Sequence, residues 1–159
     1  MELKSILQKL YEILQSQNKE IATAESCTGG LIGKTLTEVP GISAHYGYGF
    51  ITYSNEAKQK LLGVSSKTLE AHGAVSGETV VEMASGALKV SGADVAVSVS
   101  GIAGPGGGTK DKPVGLVYIG IASENASHSH KFIFSGTRDE VREKTLVEAL
   151  KLVINELEK

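Results

Sequence analysis

Leu3, Ile6, Leu7, Leu10, Ile13 and Leu14 recur at steps of three and four, with mostly polar residues between them. That spacing predicts an amphipathic helix over 2–17. The segment EIATA at 20–24 is short, small and partly β-branched, and reads as a buried strand. Leu31, Ile32, Leu36 and Val39 return to helical spacing and predict a helix over 28–39, closed by Pro40-Gly41. YGYGFITY at 46–53 is aromatic and β-rich, hence a strand. Helical patterns follow at 55–62, 66–71 and 77–90, the last with Ser76 as N-cap.

The second half alternates in the same way. DVAVSV at 94–99 predicts a strand that runs into the glycine-rich GIAGPGGG. VGLVYIGIA at 114–122 is the strongest strand pattern in the chain, and 128–134 reads as its hairpin partner or an edge strand. Thr137 with Glu140 three residues on is a capping box. It opens a final helix that turns Val141, Leu146, Ala149, Leu150, Val153 and Leu157 inward. Alternating helices and strands without repeats or a long linker predict a single α/β domain over 1–159. The expected architecture is a three-layer α/β/α sandwich with a mixed, mainly parallel sheet.

Composition narrows the partners. The 159 residues carry a formal net charge of −2, so there is no basic surplus for a nucleic-acid backbone. No apolar run approaches the roughly 18 residues of a membrane span, and the charged N-terminus lacks a signal-peptide core. One cysteine and no Cys/His spacing give neither a disulfide nor a metal site. These readings predict a cytoplasmic protein that binds neither nucleic acid nor membrane. Glycine is abundant at 19 residues, and its clusters mark the segments that carry chemistry.

Ser26, in TAESCTGG, falls just beyond a strand and before a helix, where ligands bind in open α/β sheets. The N–H groups of Thr28, Gly29 and Gly30 then stand where an anion or oxyanion is stabilised. Capping by Ser26 or Thr28 is the simpler reading of the same pattern. Cys27 competes as nucleophile, but His45, His72, His128 and His130 form no motif with it, and it reads as a small packing residue.

YSNEAK at 53–58 places Lys58 in a first helical turn behind Ser54 or Asn55 as cap. The positive helix end and burial both act to lower its pKa, which would make it a base for a serine hydroxyl. An ordinary exposed lysine is the alternative. In the loop at 98–110, Ser100, Gly101 and Thr109 offer polar contacts, yet neither a P-loop nor a dinucleotide fingerprint is present. Arg138 lies in the first turn of the final helix, where a bound phosphate or carboxylate would offset its unfavourable position; pairing with Asp139 or Glu143 would do the same.

AESCTGG, YSNEAKQKLLGV, HGAVS at 72–76, SGIAGPGGG and KPVG at 112–115 occur in this order. Together they resemble the CinA C-terminal domain family, over roughly residues 5–155, and in particular its stand-alone nicotinamide-nucleotide amidases. The resemblance implies a three-layer α/β/α fold and metal-free hydrolysis of nicotinamide mononucleotide to nicotinate mononucleotide and ammonia. It places the nucleophile at Ser26, the base at Lys58 and a third member, orienting the lysine or relaying a proton, at Tyr53. Gly29, Ser100 and Arg138 fall near the substrate, with Ser100 where the family often has threonine. Larger members carry a further N-terminal domain, and this chain is expected to begin after it. No cofactor is implied. A homodimer is expected, with an apolar stripe on either terminal helix as its surface. Two other readings share the motifs: a catalytically silent nucleotide-binding or regulatory domain, and an amidase for another small amide.

Overall fold

The computed structural model describes residues 2–159. In chain order the elements are α1 (Leu3–Gln17), β1 (Ile21–Glu25), α2 (Leu31–Leu36), β2 (Tyr46–Ile51), α3 (Asn55–Leu62) and α4 (Ser66–His72). There follow α5 (Gly77–Ser91), β3 (Val95–Gly101), β4 (Leu116–Ser123), β5 (Ser127–Ile133) and α6 (Arg138–Leu157). One five-stranded sheet has the order β2-β1-β3-β4-β5. β1 pairs in parallel with both β2 and β3, whereas β4 is antiparallel to β3 and to β5. Four strands therefore share a direction and β4 alone opposes them. The hairpin of β4 and β5 is the antiparallel pair that the short connection predicts.

Alternation along the strands separates two cores. Val95, Val97 and Val99 of β3 pack with Ile119 and Ile121 of β4 against the apolar stripes of α1, α2 and α6. Ala22, Ala24 and Ala96 face the other way, toward Leu62, Leu69, Val80 and Met83 of α3, α4 and α5. The small residues on this second face let α5 approach closely. A Cβ on Gly120 of β4 would meet the Val80 carbonyl, and one on Gly86 the Leu62 carbonyl. Helices thus cover both faces of the sheet. The stripes of α1 and α6, read in the sequence as a dimer surface, are consumed by this domain's own core.

Boundaries shift where backbone conformation overrides side-chain pattern. The helix expected over 28–39 contracts to Leu31–Leu36, because Gly29 and Gly30 take φ of 59° and 108° and hold 28–30 in a turn. The strand expected from 114 starts at Leu116, after Gly115 at φ 93°. A short 3₁₀ turn at Ile42–Ala44 has no counterpart in the periodicity. The capping box at Thr137 and Glu140 is present in full.

The connection from β1 leads to β2 on one side, while that from β3 leads to β4 on the other. The carboxyl ends of β1 and β3 therefore flank the point at which the winding reverses. Open α/β sheets bind ligands at this point. Ser26 follows β1, and the loop from Ile102 follows β3.

Candidate active site

Ser26 leaves the sheet in register, its N–H donating to the Val99 carbonyl of β3 at 3.1 Å. Lys58 comes from α3, the helix that follows the neighbouring strand β2. α3 begins behind Ser54, whose Oγ accepts from the Ala57 N–H at 3.0 Å. That start sends Lys58 back across the end of β1, where its side chain is only 1% exposed. Nζ lies 3.0 Å from Ser26 Oγ, 2.8 Å from the Thr52 carbonyl and 3.5 Å from the Tyr53 carbonyl.

Nζ donates to all three oxygens; once it loses a proton, the carbonyls of Thr52 and Tyr53 can keep its two N–H donors while its lone pair turns to the serine hydroxyl. Among the described residues no carboxylate comes within ion-pair distance of Lys58. Burial pushes its pKa below the ordinary lysine value, and the nearby Cys27 thiol acts in the opposite sense. Thr52 joins the two halves of the site with its backbone alone. Its N–H donates to the Glu25 carbonyl at 2.9 Å while its own carbonyl receives Lys58.

The sequence-derived candidates do not all converge. A pocket of about 220 Å³ is lined by Ser26, Cys27, Tyr53, Gly101, Arg138 and the 102–107 loop. Ser100 and Thr28 are buried and outside that lining, and Gly29, exposed, and Gly30, half-buried, lie outside it too. Tyr53 is 66% exposed, and its hydroxyl accepts from Arg138 Nη2 at 3.4 Å; it meets Lys58 through its carbonyl, not its phenol. Arg138 also donates to the Gly104 carbonyl at 2.8 Å and forms no ion pair with Asp139 or Glu143. Thr109 turns inward on its own loop, accepting from the Lys112 N–H at 3.0 Å.

The amides differ from expectation too. Gly29 N–H donates to the Ser26 carbonyl and Gly30 N–H to the Glu25 carboxylate, so neither is free for an incoming anion. The N–H groups of Cys27 and Thr28 donate to no oxygen of the described residues. Cys27 lines the pocket beside Ser26, whereas Thr28 is fully buried outside it.

Cys27 packs into the core, and burial pushes its thiol up to about 12. Burial of this kind disfavours the reactive thiolate. No histidine serves it: His45 Nδ1 bonds the Lys19 carbonyl, His72 faces Glu78, and His128 and His130 bond each other beside Glu156. Among the described residues no group of three His, Cys, Asp or Glu side chains is arranged to hold a metal ion, and no helix is long and apolar enough to cross a membrane.

Sequence reasoning missed Glu25, Thr52 and Arg142. Thr52 acts through backbone groups, which leave no side-chain signal. Arg142 lies one turn beyond Arg138 on the same helix, a spacing that could have flagged it.

A family model described as the CinA C-terminal domain matches residues 3–157. A CinA-like protein of Endomicrobium trichonymphae is 54% identical over 145 residues, 91% of this chain and 34% of that protein. Another from Chloroherpeton thalassium is 60% identical over 121 residues, 76% of this chain and 29% of that protein. The chain thus spans about a third of the length of these relatives. The crystal structure of competence/damage inducible protein CihA from Agrobacterium tumefaciens superposes with a TM-score of 0.91 at 43% identity, covering 97% of this chain and 96% of that one. A CinA superfamily protein from Klebsiella pneumoniae 700603 gives 0.94 at 32% identity, covering 99% and 98%.

Proposed function

Because the chain belongs to the CinA C-terminal domain family, we propose that it hydrolyses the carboxamide of nicotinamide mononucleotide to nicotinate mononucleotide and ammonia. One observation carries the reading: Lys58 Nζ, dry and without a counter-charge, lies 3.0 Å from Ser26 Oγ. Amide hydrolysis needs a strong nucleophile, a proton for the departing nitrogen and stabilisation of a tetrahedral oxyanion. Neutral Lys58 takes the hydroxyl proton as Ser26 Oγ bonds to the carboxamide carbon. The C–N bond then breaks, and the lysine returns its proton to the leaving ammonia. Water, deprotonated by Lys58, attacks the resulting ester and releases the carboxylate product. The Cys27 N–H, on a residue that lines the pocket beside Ser26, is the candidate oxyanion donor. Losing one such donor costs on the order of 3 kcal/mol in the barrier.

The pocket, at about 220 Å³, is smaller than the roughly 300 Å³ at the low end of small-molecule sites. In this reading the carboxamide end enters and the ribose phosphate stays at the mouth, beside Arg138 and the 102–107 loop. No cofactor takes part, and the working form is a homodimer, which sedimentation of the purified protein tests.

Incubation of purified protein with nicotinamide mononucleotide, following ammonia and nicotinate mononucleotide together, is the test. Equal amounts of both products are expected. Binding without turnover would replace the enzyme with a nucleotide-binding module, and turnover of other small amides alone would keep the machinery and change the substrate.

A further inference from the structure

The turn that carries Ser26 is gripped on two sides by residues with no part in the steps above. On one side, the Glu25 side chain is 2% exposed and accepts four hydrogen bonds. Thr28 Oγ1 at 2.5 Å, Gly30 N–H at 3.2 Å and Ile32 N–H at 2.9 Å donate to Oε1, and Gly33 N–H at 3.0 Å donates to Oε2. From α6, Arg142 Nη2 donates to the Thr28 carbonyl at 2.9 Å. That orientation leaves the buried Arg142 Nε–H without an acceptor among the described residues. Asp139 stands 3.9 Å from Arg142 and is 86% exposed, a pairing that contributes little. The guanidinium is therefore oriented on the carbonyl.

Capping a six-residue helix does not require a buried glutamate. A serine or asparagine at the N-cap would serve without desolvating a carboxyl group. What Glu25 adds is a fixed turn. Its carboxylate already occupies the anion site at the start of α2, so a second negative charge is repelled from there. The Cys27 N–H, next to Ser26 on the pocket wall, donates to no oxygen of the described residues. Thr28 is held at its hydroxyl and at its carbonyl, which pins the turn on the far side of Cys27.

We infer that Glu25 and Arg142 are positioning residues that clamp Thr28 and so hold the adjacent Cys27 N–H as an oxyanion donor for Ser26. The inference rests on the amidase reading for its substrate, but its geometry stands apart from that choice. The test therefore uses two probes: nicotinamide mononucleotide, and a small fluorophosphonate whose phosphoryl oxygen takes the oxyanion position when Ser26 is labelled.

Glu25→Gln keeps the shape and sets an N–H₂ donor against N–H donors. Arg142→Met, on a partly exposed helix position, frees Thr28 from the other side and carries the test if Glu25→Gln fails to fold. Each is expected to slow labelling of Ser26 about 10- to 100-fold. The kcat for the nucleotide should fall in parallel, with KM within about twofold and the acid limb of the pH profile unmoved. Arg142→Lys, which still donates to the carbonyl, should recover part of the loss. Wild-type labelling rates in either folded variant would overturn the clamp, as would a shifted acid limb, which would mean action through the charge of Lys58. A wild-type serine inert to the probe would overturn the clamp and the nucleophile together. Labelling without ammonia release would remove only the substrate, with the labelling ratios still deciding the clamp.

Discussion

At the scale of the residue, the account turns on a buried lysine whose pKa folding lowers. Local pattern treats Lys58 as a surface cation in a helical first turn; the structure buries it. Burial, more than the helix end, lowers its pKa. Two pH effects follow. The rate should rise with pH on the acid limb as Lys58 loses its proton, and a flat acid limb in kcat/KM would argue against the base. Stability should respond in the same direction. The unfolded chain keeps the lysine proton up to about pH 10.5, while the folded state gives it up earlier. Between these values the unfolded state binds more protons, so stability rises with pH. Thermal unfolding of wild type compared with Lys58→Met should show the wild type gaining ground as pH rises toward the ordinary lysine value of 10.5. Beside it, Cys27→Ala should keep most of the activity, since a thiol pushed up to about 12 supplies no thiolate. Complete inactivation of a folded Cys27→Ala protein would restore the thiol as nucleophile.

At the scale of the element, close approach decides more than helix preference. Alanine at Gly86, in the interior of α5, would gain about 0.5–1 kcal/mol of propensity. Its methyl would also be driven into the Leu62 carbonyl, a backbone group with little freedom to move. Overpacking of this kind costs about 1–3 kcal/mol. Gly86→Ala should therefore lower stability in urea unfolding, and a stabilised variant would show that α5 has room to shift. The start of α6 offers a cleaner local case. Thr137→Ala removes the hydroxyl that accepts from the Glu140 N–H at 3.2 Å and should cost about 1 kcal/mol in the same measurement.

Across the whole molecule, periodicity was a sound guide to elements and a poor one to contacts between them. Strands and helices were legible because β3 alternates valine with alanine and serine, and α1 repeats leucine and isoleucine on one face. The start of α2 was not, since only the left-handed backbone of Gly29 and Gly30 explains it. Ser26 and Lys58 could be proposed from their motifs, yet their meeting depends on β1 and β2 being parallel neighbours, which no local window contains. Glu25 was hidden in plain view: it reads as a strand residue but serves a helix that begins six positions later. Tyr53, singled out through the family resemblance, lines the pocket with Ser26, and its phenol meets Arg138 while only its carbonyl meets the lysine. The fold brings these pieces together where the winding of the sheet reverses, and the claim about that place can be tested without ambiguity. Ammonia release from nicotinamide mononucleotide should be measured for wild type, Ser26→Ala and Lys58→Ala, each shown to be folded. The account expects release by the wild type and a loss of about 10²- to 10⁴-fold when the base is removed, with Ser26→Ala at least as impaired; near-wild-type rates in a folded Lys58→Ala protein would contradict it.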